Sequence, residues 1–421
     1  MCALDVVPAA TLLLPYFEVD LDDPDPPAID TLFSINNASP EPTIVNVTFW
    51  TNYGLPTLGF DIFLTGFDVQ VVNMREAFNG NLPVTADAQT DPDDTISPHG
   101  ANPEWDGSFT APPDCANFFP YFNPVIPQQN LERMINGHTG KPVAAEGGLC
   151  TGRDLGDNVA RGYVTMDVAS RCSIEFPTDN GYFGGFDPVA TDDNLLWGEF
   201  IIRAPDGSFG RSELVHIEAD PSFDGSTTES GYTFYGRYTD GQDHREPLGT
   251  QWAARYAGGS GPTESRFLVW RDSTDTDPPI NGGYDCDTGQ PAWFPLEENS
   301  VLCFDEEENV VELCEGEACF PLETQSVVAG GTPLSTPFPF GWCRLDLTHD
   351  DDFPTDEDYP VSGSPIAQSY VTVMHDEDGS FSSMSRAMTL EDACVGVDSF
   401  QMIFKDGFES GDTTRWSAQI P

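Results

Sequence analysis

The stretch that decides the fold is Val45-Asn46-Val47-Thr48-Phe49, broken at Gly54-Leu55-Pro56, resumed as Phe60-Asp61-Ile62-Phe63-Leu64-Thr65 and again as Phe67-Asp68-Val69-Gln70-Val71. Apolar residues recur at every second position, the period of a strand whose side chains alternate between two faces. A helix would need them three or four apart and would not survive the intervening Gly and Pro. Three such runs in succession predict antiparallel strands that bury one face, the opening of a β-sandwich.

Similar patterns return at 162–166, 195–203, 214–217, 267–270, 342–347 and 370–374, separated by turn signals such as Asp206-Gly207 and Asp378-Gly379. The clearest helix is expected over 128–135, with Leu131, Met134 and Ile135 on one side and Gly137 to cap its end. The sequence therefore predicts an all-β protein of antiparallel β-sandwich regions, Ig-like or jelly-roll-like, with long Asp/Pro/Gly-rich loops and little helix. Its expected organisation is an N-terminal β-sandwich region over 1–85 and an irregular connection with a short helix over 86–160. A larger β-sandwich region over 161–399 and a terminal strand with a tag-like tail over 400–421 complete it.

Charge narrows the function. Against 70 Asp and Glu, the 421 residues carry 17 Lys and Arg, a formal net charge of -53. Such a surface repels phosphate backbones and anionic lipid, which disfavours nucleic acid as a partner. High net charge is also a mark of disorder, but 29 Phe, 12 Tyr and 8 Trp supply the apolar material for cores. No run of about 18 apolar residues offers a transmembrane helix.

Ten cysteines without CxxC spacing read as a disulfide framework from an oxidising compartment. Cys314 with Cys319, and Cys286 with Cys303, are the candidate pairs by proximity in sequence. Met1-Cys2-Ala3-Leu4-Asp5 lacks the basic region of a signal peptide, so export implies that a leader has been removed.

Among the acidic clusters, Asp376-Glu377-Asp378-Gly379-Ser380 imitates the start of a calcium loop, which makes Asp376 and Asp378 the candidate metal ligands and Ca2+ the candidate cofactor; the closing Glu is missing. His216, between Val215 and Ile217, is expected to be a surface histidine with a carboxylate neighbour. Gly258-Gly259-Ser260-Gly261-Pro262 departs from a nucleophile elbow at Pro262 and reads as a hairpin loop. No catalytic residue and no nucleotide-binding loop is recognisable. The tryptophans, Trp50, Trp197, Trp252, Trp270 and Trp293 among them, are expected mostly in cores, with a sugar-stacking platform as the functional alternative.

Leu12-Leu13-Leu14-Pro15-Tyr16-Phe17-Glu18-Val19-Asp20 with Thr31-Leu32-Phe33-Ser34-Ile35-Asn36-Asn37-Ala38 resembles the opening of a family of uncharacterised exported bacterial β-rich proteins. Gly162-Tyr163-Val164-Thr165, Leu195-Leu196-Trp197-Gly198, Leu214-Val215-His216-Ile217-Glu218-Ala219 and Phe338-Pro339-Phe340-Gly341-Trp342 are similar to later stretches of it. The ending Asp406-Gly407-Phe408-Glu409-Ser410-Gly411-Asp412 resembles a segment of many Gram-negative secreted or surface proteins. The resemblance implies a secreted or cell-surface location and carries over no catalytic residue.

The expectation is a non-enzymatic extracellular or cell-surface β-protein acting by binding or assembly, as adhesin, matrix or filament subunit. Its partner would be a second copy, through strand addition by residues 10–19 or 400–404, or an extracellular polysaccharide. The alternatives are a secreted hydrolase acting on polysaccharide through a carboxylate pair and a calcium-dependent carbohydrate-binding protein.

Overall fold

Antiparallel pairing gathers the strands into four sheets in a computed structural model that describes residues 6–22, 28–83, 115, 117–224, 232–239, 241–258, 263–273, 283–287, 291, 294–348, 368–377 and 380–390. Sheet I orders β4 (Pro56–Leu64), β3 (Thr43–Trp50), β6 (Val159–Ala169), β1 (Thr11–Asp20) and β9 (Val215–Ile217). Sheet II orders β5 (Val69–Asn73), β2 (Asp30–Asn37), β7 (Leu196–Arg203) and β8 (Phe209–Glu213). Sheet III holds β14 (Thr324–Val328), β11 (Thr263–Arg271), β16 (Ser369–Glu377) and β17 (Ser380–Arg386). Sheet IV holds β13 (Val310–Leu313), β12 (Ser300–Phe304), β15 (Phe340–Asp346), β10 (Gln251–Ala257) and β18 (Met388–Thr389). The all-β expectation holds, and each strand run read from the sequence within the described residues falls on a strand, while the terminal strand expected at 400–404 lies outside them.

The boundary expected at residue 85 does not. β6, β7, β8 and β9 complete the two sheets begun by residues 11–73, so the first sandwich is assembled from segments on both sides of the central connection. Strands 162–166, 195–203 and 214–217 were assigned to the later region because pattern reveals a strand and not its partner. Residues 10–19 likewise do not await a neighbouring subunit: β1 pairs β6 on one side and β9 on the other.

Phe33 and Phe200 of sheet II meet Phe17, Phe49 and Phe60 of sheet I in one core. Phe49 stands 6.2 Å from Phe17 and 5.8 Å, edge-on, from Phe60. A second core joins the other face of sheet I, through Leu13, Trp50 and Tyr163, to Phe267, Val269 and Trp270 of sheet III and Trp252 and Leu345 of sheet IV. Sheet I is thus covered on both faces, and β1 and β3 are buried along nearly their whole length.

The expected helix is α2 (Gln128–Thr139), following α1 (Met74–Phe78). It runs through Gly137 and ends at Gly140, whose φ of 69° is the left-handed cap conformation that glycine adopts without strain. Gly137 serves instead as a close approach: a Cβ there would stand 2.8 Å from Thr151 Oγ1. The last short helix is α3 (Gly236–Thr239).

Four disulfides join described residues: Cys115–Cys172, Cys150–Cys286, Cys303–Cys343 and Cys314–Cys319. Cys286 and Cys303 are therefore not partners of one another. Cys303 lies opposite Cys343 across the β12–β15 pair, and Cys286 reaches back 136 residues to Cys150. Among the described residues no helix is long and apolar enough to cross a membrane.

Candidate functional site

Alternation placed Asn46, Thr48 and Asp61 opposite the apolar face, where water would be expected. They are instead buried, Asp61 completely. One cross-strand rung explains them: Thr11 on β1 lies opposite Asp167 on β6, Asp167 opposite Asn46 on β3, and Asn46 opposite Asp61 on β4. The rung is roofed by polar side chains. Tyr182 donates its hydroxyl to Asp167 Oδ2 at 2.9 Å, Tyr235 donates to the same oxygen at 3.0 Å, and Arg245 Nε donates to Thr11 Oγ1 at 3.0 Å. Asn46 Nδ2 and the Ser173 backbone N–H each donate to Asp61 at 3.0 Å. Removal from water outweighs these bonds and pushes the Asp61 carboxyl up to about 7; burial also raises Asp167, against the pull of Arg245.

A second buried cluster ties sheet I to sheet III. Arg237 of α3 forms ion pairs with Glu323 and, at 3.2 Å, with Asp272, all three nearly inaccessible. Tyr163 donates to Glu323 at 3.0 Å and stacks on Trp50 at 5.6 Å, and the guanidinium lies 4.5 Å over the Tyr238 ring. Burial raises Asp272 to about 7, partly offset by Arg237. Perturbed carboxylates often mark active sites, but these two clusters are sealed under aromatic rings and line neither of the two surface grooves described below. Their arrangement serves to lock the sheets in register.

The accessible chemistry lies elsewhere. Sheet II turns one face to the core and leaves the other open: β7 alternates buried Leu196, Phe200 and Ile202 with partly exposed Trp197, Glu199, Ile201 and Arg203. Cross-strand register extends this face through Asn36 and Val69 beside Trp197, Ser34 and Val71 beside Glu199, and Leu32 beside Ile201. Val69 and Val71 are 56% and 52% exposed, and Phe67, in the turn before them, 68%. Arg211 and Glu213 continue the face onto β8.

There it enters a groove of about 310 Å³ where β8 of sheet II meets β17 of sheet III. The two edges approach closely: a Cβ on Gly210 would stand 2.9 Å from the end of Met384, and Ser380 donates to Asp206. Arg211, Ser212 and Glu213 come from one side, and Tyr370, Ser385 and Arg386 from the other. Arg211 is ion-paired to Glu199, and Arg386 is hydrogen-bonded to the Tyr370 hydroxyl. The Tyr370 hydroxyl is pushed up to about 12, chiefly by burial. A smaller hollow of about 230 Å³ lies beside Asp20, Arg75 and Asn158.

His216 lines the seam groove beside the Glu213 carboxylate but is not a surface histidine. It is 2% exposed, with Nδ1 2.7 Å from the Val7 carbonyl and its ring edge-on to Trp197 at 6.2 Å. Pairing of β9 with β1 places the ring under cover, and its carboxylate neighbour is Glu213 and not Glu218, which lies beyond the end of β9. Asp376 sits on β16 opposite residue 381 of β17, while Asp378 lies outside the described residues, as do 259–262, 400–412, Trp293, Cys2 and Cys394. Glu298 approaches the Cys314 and Cys319 sulfurs, but these are bonded to each other and offer no thiolate to a metal. Trp50, Trp252 and Trp270 are core residues, and among the described members of that set Trp197 is the one on the open face.

Sequence reading did not single out Arg211, Arg386 or Tyr370. The available signal was scarcity, since with 17 basic residues against 70 acidic ones each arginine is informative. No family model matches this sequence, and comparison with curated proteins and with solved structures returned no match.

Proposed function

We propose that this chain is an exported, non-enzymatic β-protein that acts by binding or assembly at a bacterial cell exterior, with the open face of sheet II as its engaging surface. The observation that carries the reading is the exposure of Phe67, Val69 and Val71 at the edge of a sheet face that also presents Trp197, Leu32 and Ile201, with Asn36, Ser34 and Glu199 between them. Large apolar side chains exposed together on one face cost solubility unless a partner covers them. Four disulfides accord with an oxidising compartment.

The test is sedimentation velocity of the full chain with calcium and at raised salt, alongside retention on a panel of extracellular polysaccharides, for the parent chain and for Val71→Glu and Trp197→Ala. Association or retention that both variants weaken at least tenfold is expected. A chain that stays monomeric and unretained, or variants indistinguishable from the parent, would overturn the reading.

A further inference from the structure

The seam groove is a second feature of the same face, and its chemistry differs from that of the apolar patch. At a net charge of -53 the molecule repels anions at long range, and salt screens that repulsion beyond about 8 Å. An anion can therefore be held only where guanidinium groups stand within hydrogen-bonding reach. Arg211 and Arg386 reach the groove from two different sheets, and both are exposed at its rim. A guanidinium presents a planar fork of donors that matches a carboxylate, and a charge-assisted pair is stronger than a neutral one.

The rest of the lining selects further. Ser212, Ser385 and Tyr370 supply hydroxyls that donate and accept, the complement of a polyol. Glu213 accepts hydroxyl hydrogens and repels a second negative charge placed beside it. A volume of about 310 Å³ is at the small end of ligand sites, which run from about 300 to 1,000 Å³.

We infer that the seam groove between β8 and β17 binds an acidic saccharide of the uronic acid type, its carboxylate held by Arg211 and Arg386 and its hydroxyls by Ser212, Ser385 and Tyr370. The inference rests on the reading of the chain as a binding protein and names a ligand class for one end of its open face. Both arginines are exposed, and a glutamine at 386 keeps an amide donor for the Tyr370 hydroxyl, so the replacements leave the apolar cores in place.

The experiment is isothermal titration of the full chain with a galacturonate trisaccharide, its methyl ester and inorganic phosphate, for the parent, Arg211→Gln, Arg386→Gln and Val71→Glu. The acid is expected to bind at least tenfold more tightly than the ester, and each arginine variant to weaken it about tenfold or more at an unchanged melting temperature. Val71→Glu should leave this affinity unchanged, which separates failure of the groove from failure of the apolar face. Equal binding of acid and ester, phosphate as good as the saccharide, no binding by the parent, or arginine variants that bind normally would each overturn the assignment.

Discussion

Replacing Asp61 by Asn should remove a specific pH dependence of stability. Asp61 is wholly buried, and desolvation pushes its carboxyl up to about 7. In the unfolded chain the same group titrates near 3.9. Between these values the folded protein holds a proton that the unfolded chain has released, so stability falls as pH rises through that window. Three pH units at about 1.36 kcal/mol each make the loss about 4 kcal/mol between pH 4 and pH 8. Asp61→Asn keeps the shape and cannot ionise, so its own contribution is flat.

The substitution has a second, pH-independent cost. Asp61 accepts from Asn46 Nδ2 on one oxygen and from the Ser173 N–H on the other, and an amide can satisfy one of them. Turning Asn46 over would break another bond, because its Oδ1 accepts from Thr48 Oγ1 at 3.4 Å. One unsatisfied donor costs about 1–3 kcal/mol at every pH. The assay is urea unfolding with disulfides intact, at half-unit steps from pH 4 to pH 8, comparing variant minus parent. That difference should climb by about 4 kcal/mol, crossing from destabilising to stabilising. Parallel curves would refute the argument, since they would mean that Asp61 titrates alike in both states.

Three further outcomes follow from the packing. Arg237→Met should lower unfolding free energy by about 3–5 kcal/mol, because Glu323 and Asp272 stay buried without their cation; adding Glu323→Leu should recover part of it, checked by the same urea titration. Paired Cys150→Ser and Cys286→Ser should cost about 5 kcal/mol by loop entropy for a separation of 136, against about 2 kcal/mol for the Cys314 and Cys319 pair at a separation of 5; equal losses in melting experiments would contradict this ordering. Gly162→Ala should destabilise by about 1–3 kcal/mol, as its Cβ would lie 2.2 Å from the Trp50 carbonyl oxygen and 2.7 Å from His138 Nδ1; a melting temperature equal to the parent's would count against that close packing.

By itself the sequence determined the class of structure. Period-two alternation specifies strands because it depends on residues adjacent in the chain, and the runs at 45–49, 60–65 and 67–71 carry it plainly. The helix expected over 128–135 was legible for the same reason, though it runs on to Thr139 and is capped by Gly140 in place of Gly137. An even cysteine count announced disulfides, and the charge announced an exterior hostile to anions.

Tertiary structure alone decided what each face meets. Asn46 and Asp61 read as solvent positions because alternation distinguishes two faces without saying what covers the second; Tyr182, Tyr235 and Arg245, distant in sequence, cover it. Cys286 turned to Cys150 and not to Cys303, since pairing follows distance in space. The seam groove was invisible for the same physical reason: Arg211 and Arg386 are 175 positions apart in the chain and come together only because the edge strands β8 and β17 lie side by side.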